Sequence, residues 1–282
     1  MTFRPDRHAG SVVTEITSRE PIFPDLREAW RHRQLAVMLA QRNIKVRYKQ
    51  TILGSAWIVI QPLLLTGMLT LILGALLSVP SGGLPYALFA FTGTGLWTAF
   101  NRVVTDTGIS LASSSNVILK VYFPRVLVPA AALLTAVVDF LPIYAMLILA
   151  TVAYGRFPGW PILLSPAFVF LALVMAFAVG LWVTMLDAIY RDMRLVVPSV
   201  LQLLFYASPV MYAETVVPAR WQTLYHLNPL VGLLEGFRWS FVAGAAPPSV
   251  VSIVWCVGLS IVMLFAGLSV FARLERFAVD RI

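Results

Sequence analysis

Charged residues are scarce in this chain, and their scarcity argues against an ordinary soluble domain. Only 12% of its 282 residues are Asp, Glu, Lys or Arg, whereas 59% are hydrophobic. Soluble domains carry about 25% charged residues, and a soluble fold of this length cannot bury so much apolar surface. The composition therefore predicts an all-α, polytopic integral membrane protein whose apolar side chains face lipid.

Cysteine and histidine are also rare. The single cysteine, Cys256, lies in an apolar run, so the chain forms no disulfide framework or cysteine-based metal site, and we expect a buried apolar thiol. The three histidines, His8, His32 and His226, are scattered, and none stands in an H-E-x-x-H or H-x-x-x-x-D arrangement. These patterns predict no metal site and give poor support to a zinc protease or a histidine-based acyltransferase.

Two catalytic motifs are missing as well. The sequence contains no G-x-x-x-x-G-K-[S/T] loop that would cradle the phosphates of ATP, and no G-x-S-x-G nucleophile elbow. We therefore expect no enzyme activity and no cofactor in this chain. The first 50 or so residues are rich in Lys and Arg and lack a leading apolar core, so we expect no cleavable signal peptide and a cytoplasmic N-terminus.

Six stretches are apolar enough to cross a bilayer, given that about 20 apolar residues span the hydrocarbon core as a helix. The fifth is the shortest. They cover approximately residues 56–77, 85–105, 126–153, 161–187, 195–212 and 250–271.

The distribution of Lys and Arg orients these spans. With a cytoplasmic N-terminus, seventeen of the 21 basic residues fall in inside segments, and only Arg156, Arg220 and Arg238 fall outside. Cytoplasmic loops carry such an excess, so both termini are predicted to be cytoplasmic, in the bacterial inner membrane. The same bias explains the net charge of +8 without nucleic acid as a partner.

The segment before the first span is predicted to be an amphipathic interface helix, residues 25–50. Leu26, Trp30, Val37, Ile44 and Tyr48 fall on roughly one face, and most of the basic residues lie off that stripe. This pattern is typical of a helix that lies on membrane lipids, although a soluble helix packed on a partner has the same pattern. Residues 1–24 are polar and predicted to form a flexible cytoplasmic tail.

Arg102, Asp106 and Asp139 fall within predicted spans or beside their ends, where ionisable residues are costly. Arg102 and Asp106 are four residues apart, so a helix places them within pairing distance. Either they form an internal ion pair, or Arg102 faces a polar pathway and meets an anionic head group. For Asp139, a water-mediated bond and a pair with a neighbouring span both remain open.

Residues 221–242 form a semi-apolar stretch between the last two spans. The stretch is broken at Asn228-Pro229 and contains Glu235 and Arg238. A full crossing would place these charges in hydrocarbon and move the C-terminus outside. We therefore predict an external re-entrant hairpin of two half-helices, which is tolerated where the backbone is buried in protein or lines a cavity.

Aromatic residues make up 12% of the chain, and most are expected in interface belts or in packing. A subset is a candidate lining for a pathway, where flat rings would stack on sugar faces. These rings are Trp97, Phe100, Tyr206, Tyr212 and Trp239.

Four stretches, in order, resemble the polysaccharide-exporting permeases of the type-2 ABC exporter superfamily, a group that includes the O-antigen and teichoic-acid exporters. Together they extend over most of the chain from residue 25 onward. They are RNIKVRYKQTILGSAWIVIQPL (42–63), ILKVYFPRVLVP (118–129), YRDMRLVVPSVLQLLFYASPVMY (190–212) and LNPLVGLLEGFRW (227–239).

The resemblance implies a membrane-spanning subunit, residues 25–282, which works as a homodimer with two copies of a separate ABC ATPase that binds ATP and Mg. It implies a polyprenyl-diphosphate-linked glycan as substrate and a pathway at the dimer interface. It also implies that residues 117–125 form the coupling helix, that residues 190–194 make a second contact with the ATPase, and that residues 227–239 belong to the outward gate. The implied coupling residues are Val117, Ile118, Leu119, Lys120, Val121, Tyr122, Arg125, Tyr190, Arg191, Asp192 and Arg194, and the gate residues are Asn228, Pro229, Glu235 and Arg238.

Basic residues at the cytoplasmic rim are candidates to draw in the diphosphate head group. These entry residues are Arg42, Lys45, Arg47, Tyr48, Lys49 and Arg102. Three other functions are weighed against export of a polysaccharide: a drug or lipid exporter, a stand-alone channel, and a membrane glycosyl or acyl transferase. For the transferase, Asp187, Arg191 and Asp192 offer only a thin basis.

Overall fold

The computed structural model describes residues 26–49, 54–114, 123–190 and 192–274, and this part of the chain contains helices and no strand. The predicted all-α class is therefore confirmed. The tail predicted for residues 1–24 lies outside the described residues, as do residues 117–122 of the predicted coupling helix. The α-helices are α1 (Leu26–Arg31), α2 (Arg33–Tyr48), α3 (Trp57–Leu69), α4 (Tyr86–Gly108), α5 (Ser110–Ser113), α6 (Leu127–Ala153), α7 (Ser165–Ile189), α8 (Met193–Ala207), α9 (Ala219–Leu227), α10 (Pro229–Phe241) and α11 (Val250–Leu274).

Four helical segments of the described residues are long and apolar enough to cross a membrane. A π-helix, Thr70–Leu76, extends α3, and a 3₁₀ turn, Trp160–Leu164, precedes α7. The four candidate spans make this a multi-pass membrane protein. They are Gly54–Leu76, Leu127–Ala153, Trp160–Ile189 and Val250–Arg273.

The other two predicted spans correspond to helices that do not reach this standard. Helix α8 is apolar but has only 15 residues. Helix α4 has 23 residues, but Thr, Gly, Asn, Arg and Asp interrupt its apolar sequence. Most side chains of α4 are buried against α6 and α7. A helix enclosed by other helices has little contact with lipid, so it can carry these polar side chains.

The interface helix is broken rather than continuous. A turn at His32 separates α1 from α2, and the His32 ring bonds to the carbonyl of Glu28 at 3.0 Å. The helix packs on α6 through small residues of its own, including Ala36 and Ala40. Trp30 is 70% exposed and Val37 is also exposed, which suits a stripe that faces acyl chains.

Helices α4 and α7 cross at close range. A Cβ added at Gly180 would lie 2.6 Å from Cβ of Thr107, and one added at Gly108 would clash with Val183. The Thr184 hydroxyl donates to the Thr107 carbonyl at 2.7 Å across the crossing. Small residues allow helix backbones to approach in this way within a membrane. The crossing therefore fixes the position of the polar helix α4 against its neighbour.

The stretch predicted as a hairpin consists of α9 and α10, which meet at Asn228. The Asn228 side chain accepts a hydrogen bond from the backbone N–H of Leu230 and thus caps α10. Pro229 occupies the first turn, where it costs no hydrogen bond. Most of α10 is buried against α4, α7 and α11.

The single cysteine is buried, as predicted. Cys256 lies in α11 and is 1% exposed. It therefore packs as a small apolar side chain.

We expect Gly180→Val to destabilise the protein by about 1–3 kcal/mol, because the added side chain meets Thr107 across the α4–α7 crossing. Thermal unfolding of the purified chain in detergent measures the loss. Gly258→Val is the matched control, since a Cβ at Gly258 in α11 has nothing within 4 Å. Equal losses in the two variants would contradict a tight crossing at this point.

Candidate functional site

Three helices meet at a buried carboxylate. Asp139 of α6 has a side chain that is 3% exposed, and it accepts a hydrogen bond from Arg47 of α2 at 2.7 Å. The Tyr48 hydroxyl donates to its other oxygen at 3.1 Å, and Arg102 of α4 lies 3.4 Å away. Arg47 also bonds Asp106 of α4. We call these five residues, Arg47, Tyr48, Arg102, Asp106 and Asp139, the Asp139 cluster.

The charges of the Asp139 cluster balance, with two guanidinium groups and two carboxylates. A buried ionic group costs several kcal/mol unless it is paired and hydrogen-bonded. Two partners of Asp139, Arg47 and Tyr48, come from the end of α2, so its pairing is complete only while that end stays beside α4 and α6. The cluster therefore ties the interface helix to two helices of the bundle.

The pairing within the cluster differs from the simplest expectation. Arg102 pairs with Asp139 of the neighbouring helix, whereas Asp106 pairs with Arg47. The internal pair expected between Arg102 and Asp106 is therefore replaced by bonds between helices. Of the two possibilities left open for Asp139, a water-mediated bond and a pair with a neighbouring helix, the structure contains the second.

Tyr48 completes the cluster as a neutral donor. Burial raises the pKa of its hydroxyl above the ordinary value, by more than the nearby Arg102 lowers it. The hydroxyl therefore keeps its proton and donates to Asp139. Sequence reasoning assigned Tyr48 to substrate entry and did not connect it with Asp139, which lies 91 residues further along the chain.

The predicted entry residues separate into two groups. Arg47 and Arg102 are engaged with carboxylates. Arg42, Lys45 and Lys49 are exposed on α2 and form no ion pair within the described residues. Their spacing of three and four residues places them on one face of the helix.

Two cavities flank this basic face. One, of about 330 Å³, is lined by Arg42, Arg47 and Asp106 together with hydroxyl groups such as those of Ser113 and Thr135. The other is a groove of about 850 Å³ beside Arg42, Lys45 and Lys49 that extends to Ser55. A phosphate-bearing ligand in the groove would meet cations that form no ion pair with any carboxylate in the described part of the chain.

The second predicted contact with the ATPase is only partly described. Tyr190 and Asp192 are exposed at the junction of α7 and α8. Arg194 holds Asp187 through two bonds of 2.8 and 3.1 Å, so Asp187 is part of an ion pair that braces this junction. Arg125 lies just before α6, and Arg191 falls outside the described residues, as do the coupling residues Val117–Tyr122.

The predicted pathway aromatics occupy different environments. Trp97 and Phe100 are buried in the core, with Trp97 packed on Phe205 at a centroid distance of 5.4 Å. Tyr206 of α8 is 53% exposed. Tyr212 and Trp239 are half-buried. Tyr206 therefore offers the largest free ring face among the five.

Two of the predicted gate residues, Glu235 and Arg238, line a separate cavity of about 340 Å³, which we call the hairpin cavity, whereas Asn228 and Pro229 lie at the start of α10 outside its lining. Its lining includes Glu214, His226, Glu235 and Arg238. Glu235 and Arg238 form no ion pair with each other. Glu235 accepts a hydrogen bond from Tyr225 at 3.2 Å, and Arg238 donates to the carbonyl of Pro209 at 2.8 Å.

We expect Arg47→Gln to destabilise the chain by about 3 kcal/mol, because Asp106 loses its guanidinium partner and the buried Asp139 keeps the more distant Arg102 in place of two cations. Asp139→Asn removes the other side of the bond. The double variant should lose about 1–3 kcal/mol less than the sum of the single variants, since Asp139→Asn removes the buried charge that Arg47→Gln deprives of a cation. Thermal unfolding in detergent gives all three values.

Lys49→Gln is the control for this cycle, because Lys49 is exposed and its loss should change stability by no more than about 0.5 kcal/mol. Additive losses from Arg47→Gln and Asp139→Asn would mean that the two side chains do not interact.

No group of three or more His, Cys, Asp and Glu side chains in the described parts of the chain is arranged to hold a metal ion. The charges are found in three places. These are the exposed basic face of α2, the Asp139 cluster between helices, and the hairpin cavity.

The chain is similar to several known permease proteins. The chain is 27% identical to the O-antigen export system permease protein RfbA of Myxococcus xanthus over 90% of its own length and 97% of that protein's. It is 28% identical to a protein of the same name from Klebsiella pneumoniae over 86% of its own length and 93% of the other. A shorter match is with the inner membrane transport permease YadH of Escherichia coli K12. The two chains are 43% identical over 53 residues, which are 19% of this chain and 21% of YadH.

The family match extends over much more than half of the chain. Residues 34–242 match the family described as ABC-2 type transporter. This range begins in α2 and ends just after α10, so it includes the Asp139 cluster and the hairpin. The chain belongs to the ABC-2 type transporter family.

Proposed function

We propose that this chain is the membrane-spanning permease subunit of an ABC transporter that exports a lipid-linked polysaccharide of the O-antigen type, with ATP hydrolysis in a separate partner subunit. The observation that carries the proposal is the alignment with the two O-antigen export permeases over 93% or more of their lengths. The family match over residues 34–242 includes α2 from Gln34 onward and the hairpin. The absence of a phosphate-binding loop from the sequence agrees with an energy source in another chain.

The proposed topology has six crossings, with both termini in the cytoplasm of the bacterial cell and the hairpin re-entrant from the outside. Burial of α4 supports its assignment as a span, because an enclosed helix need not be apolar throughout. Burial of α10 supports the re-entrant assignment, since non-spanning backbone at membrane depth has to be surrounded by protein.

The proposed assembly contains two copies of this chain and two ATPases. Apolar side chains on α3 and α8 support a dimer interface there, because they are exposed on a single chain. Leu64 and Met68 of α3 are each 60% exposed, and Leu195 and Leu203 of α8 are 77% and 69% exposed. Tyr206 projects from the same helix, so its ring would lie near a pathway formed between the two copies.

The proposed mechanism begins at the basic face of α2. Arg42, Lys45 and Lys49 would attract the diphosphate of a polyprenyl-linked glycan, because they are exposed and form no ion pair among the residues that the structure describes. Movement of the ATPases would act on the interface helix and on the segments at 117–125 and 190–194. The Asp139 cluster would then carry the displacement from α2 to α4 and α6 and bias the bundle between two packed states.

Labelling of introduced cysteines tests the hairpin. In a Cys256→Ala background, Thr215→Cys and Ala246→Cys stand before and after the hairpin. We expect a membrane-impermeant maleimide added to intact cells to label both, because a re-entrant segment returns to the side that it left.

Gln41→Cys on the exposed surface of α2 serves as the inside control and should label only after the membrane is permeabilised. Labelling of Thr215→Cys without Ala246→Cys would show that the segment between them crosses the membrane, and the six-span topology would be wrong.

Reconstitution with the cognate ATPase tests export and the role of the basic face. We expect ATP-dependent transfer of a polyprenyl-diphosphate-linked glycan by the wild-type complex. The double variant Arg42→Gln/Lys49→Gln should reduce transfer about tenfold or more, since bonds to charged groups contribute about 1.5–3 kcal/mol each. Its expression should not change, because both residues are exposed.

The matched control is Arg31→Gln/Arg33→Gln, which removes the same charge from an exposed part of the interface helix away from the groove. Equal reductions of glycan transfer in both double variants would show that positive charge matters equally elsewhere on the helix, and that the basic face is not a specific entry site. A wild-type complex that hydrolyses ATP but moves no glycan would refute the proposed function.

A further inference from the structure

The hairpin cavity contains a buried arginine whose hydrogen-bonding capacity is largely unused. Arg238 is 5% exposed, and within the described residues only its Nη2 donates a hydrogen bond, to the carbonyl of Pro209. Its Nε is buried and has no partner in the part of the chain that the structure describes. A buried donor without a partner is costly, and a buried charge is more so. Packing alone would be served better by an apolar side chain, so the buried Arg238 calls for a functional explanation.

The surrounding structure is built to hold this guanidinium in place. Its carbon lies 3.7 Å from the ring centroid of Phe89, a cation–π contact. A Cβ at Gly93 would lie 3.1 Å from Nη2 of Arg238 and would clash with the carbonyl of Val210, so glycine leaves room for both groups. The guanidinium is thus fixed among α4, α10 and the chain after α8, at the wall of the cavity.

The other cavity groups determine which ligand fits. Glu235 and Glu214 present carboxylates, which repel an anion, whereas Arg238 repels a cation. His226 is held 3.0 Å from Glu214. Ser81, Thr215 and Ser249 also line the cavity, together with apolar residues such as Leu84 and Phe89. The lining thus offers both donors and acceptors, and its charges, two carboxylates and one guanidinium, are of both signs, so neither a cation nor an anion meets walls of one sign.

The volume sets the size of the ligand. About 340 Å³ is close to the lower end of the range of small-molecule pockets, about 300–1,000 Å³. A small neutral molecule with several hydroxyl groups satisfies this limit. Its oxygens would accept from Arg238, and its hydroxyl hydrogens would be donated to Glu214 or Glu235.

We propose that the hairpin cavity is a binding site for a neutral sugar unit, with Arg238 as its central donor. That the sugar belongs to the exported glycan, and that the cavity opens to the outer face, rests on the proposed function. Binding of the sugar would add acceptors for the N–H groups of Arg238 that line the cavity and would link α10 to the segment around Thr215.

Binding of simple sugars to the purified full-length chain in lipid nanodiscs tests the site. The probes are the methyl glycosides of mannose, galactose and rhamnose, with glucuronate as the anionic and choline as the cationic comparison, measured by saturation-transfer NMR with titration. We expect at least one neutral glycoside to bind about tenfold more tightly than either ion. No binding of any glycoside to the folded chain, or preferential binding of an ion, would overturn the proposal.

Two variants assign the binding to this cavity. Arg238→Gln removes the charge and should weaken binding of the glycoside about tenfold or more. Because that change can also disturb the hairpin, Thr215→Trp is a second variant, which fills the cavity from an exposed position at its rim and should give a similar loss. Gln222→Trp, on the exposed side of α9 and outside the lining, should bind as the wild type does. Unchanged binding in Thr215→Trp would place the sugar elsewhere and refute the site.

The binding measurement is independent of the transport measurement. Export by the reconstituted complex without any binding of glycoside would remove the sugar site and leave the proposed function standing. Binding that is lost in Thr215→Trp, in a chain whose complex moves no glycan, would support the sugar site and remove the proposed function.

Discussion

Asp139 imposes the strongest single constraint on this structure. Its carboxylate lies twelve residues into α6, about 18 Å along the helix axis from Leu127, and it is almost fully buried. A charge in such a place has to find cationic or hydroxyl partners, and the available ones come from α2 and α4. The contact between the interface helix and the bundle follows from this need as much as from apolar packing.

The consequence is that α2 is part of the bundle and not only a helix resting on lipid. Its small residues pack on α6 and its last turn enters the Asp139 cluster, while Arg42, Lys45 and Lys49 remain outside. One helix therefore combines a surface that suits an anionic head group with an ionic bond to two core helices. A displacement of the interface helix cannot leave α4 and α6 in place without unpairing buried charges, which gives the proposed coupling a physical basis.

A similar combination is found at the hairpin. Helix α10 is buried among α4, α7 and α11, and Arg238 fixes it to the chain after α8 through Pro209. Gly93 on α4 permits the close approach. The residues that lower the hydropathy of α4 therefore make contacts at both ends of the helix. Arg102 and Asp106 form ion pairs at the end near α2, and Gly93 allows the close approach of the hairpin at the other end.

The sequence by itself determined the helical class, the membrane location, the buried cysteine, the break at Asn228-Pro229 and the family, because these depend on composition, on local turn chemistry and on ordered motifs. It also marked Arg102, Asp106 and Asp139 as charges that require an explanation. Only the tertiary structure decided that Arg102 pairs with Asp139 and not with Asp106, that Arg47 and Tyr48 belong to the same cluster, and that Trp97 and Phe100 are core residues. Those outcomes depend on which helices become neighbours across intervals of up to 92 residues, and helical periodicity within one segment carries no information about the neighbour that a given face will meet.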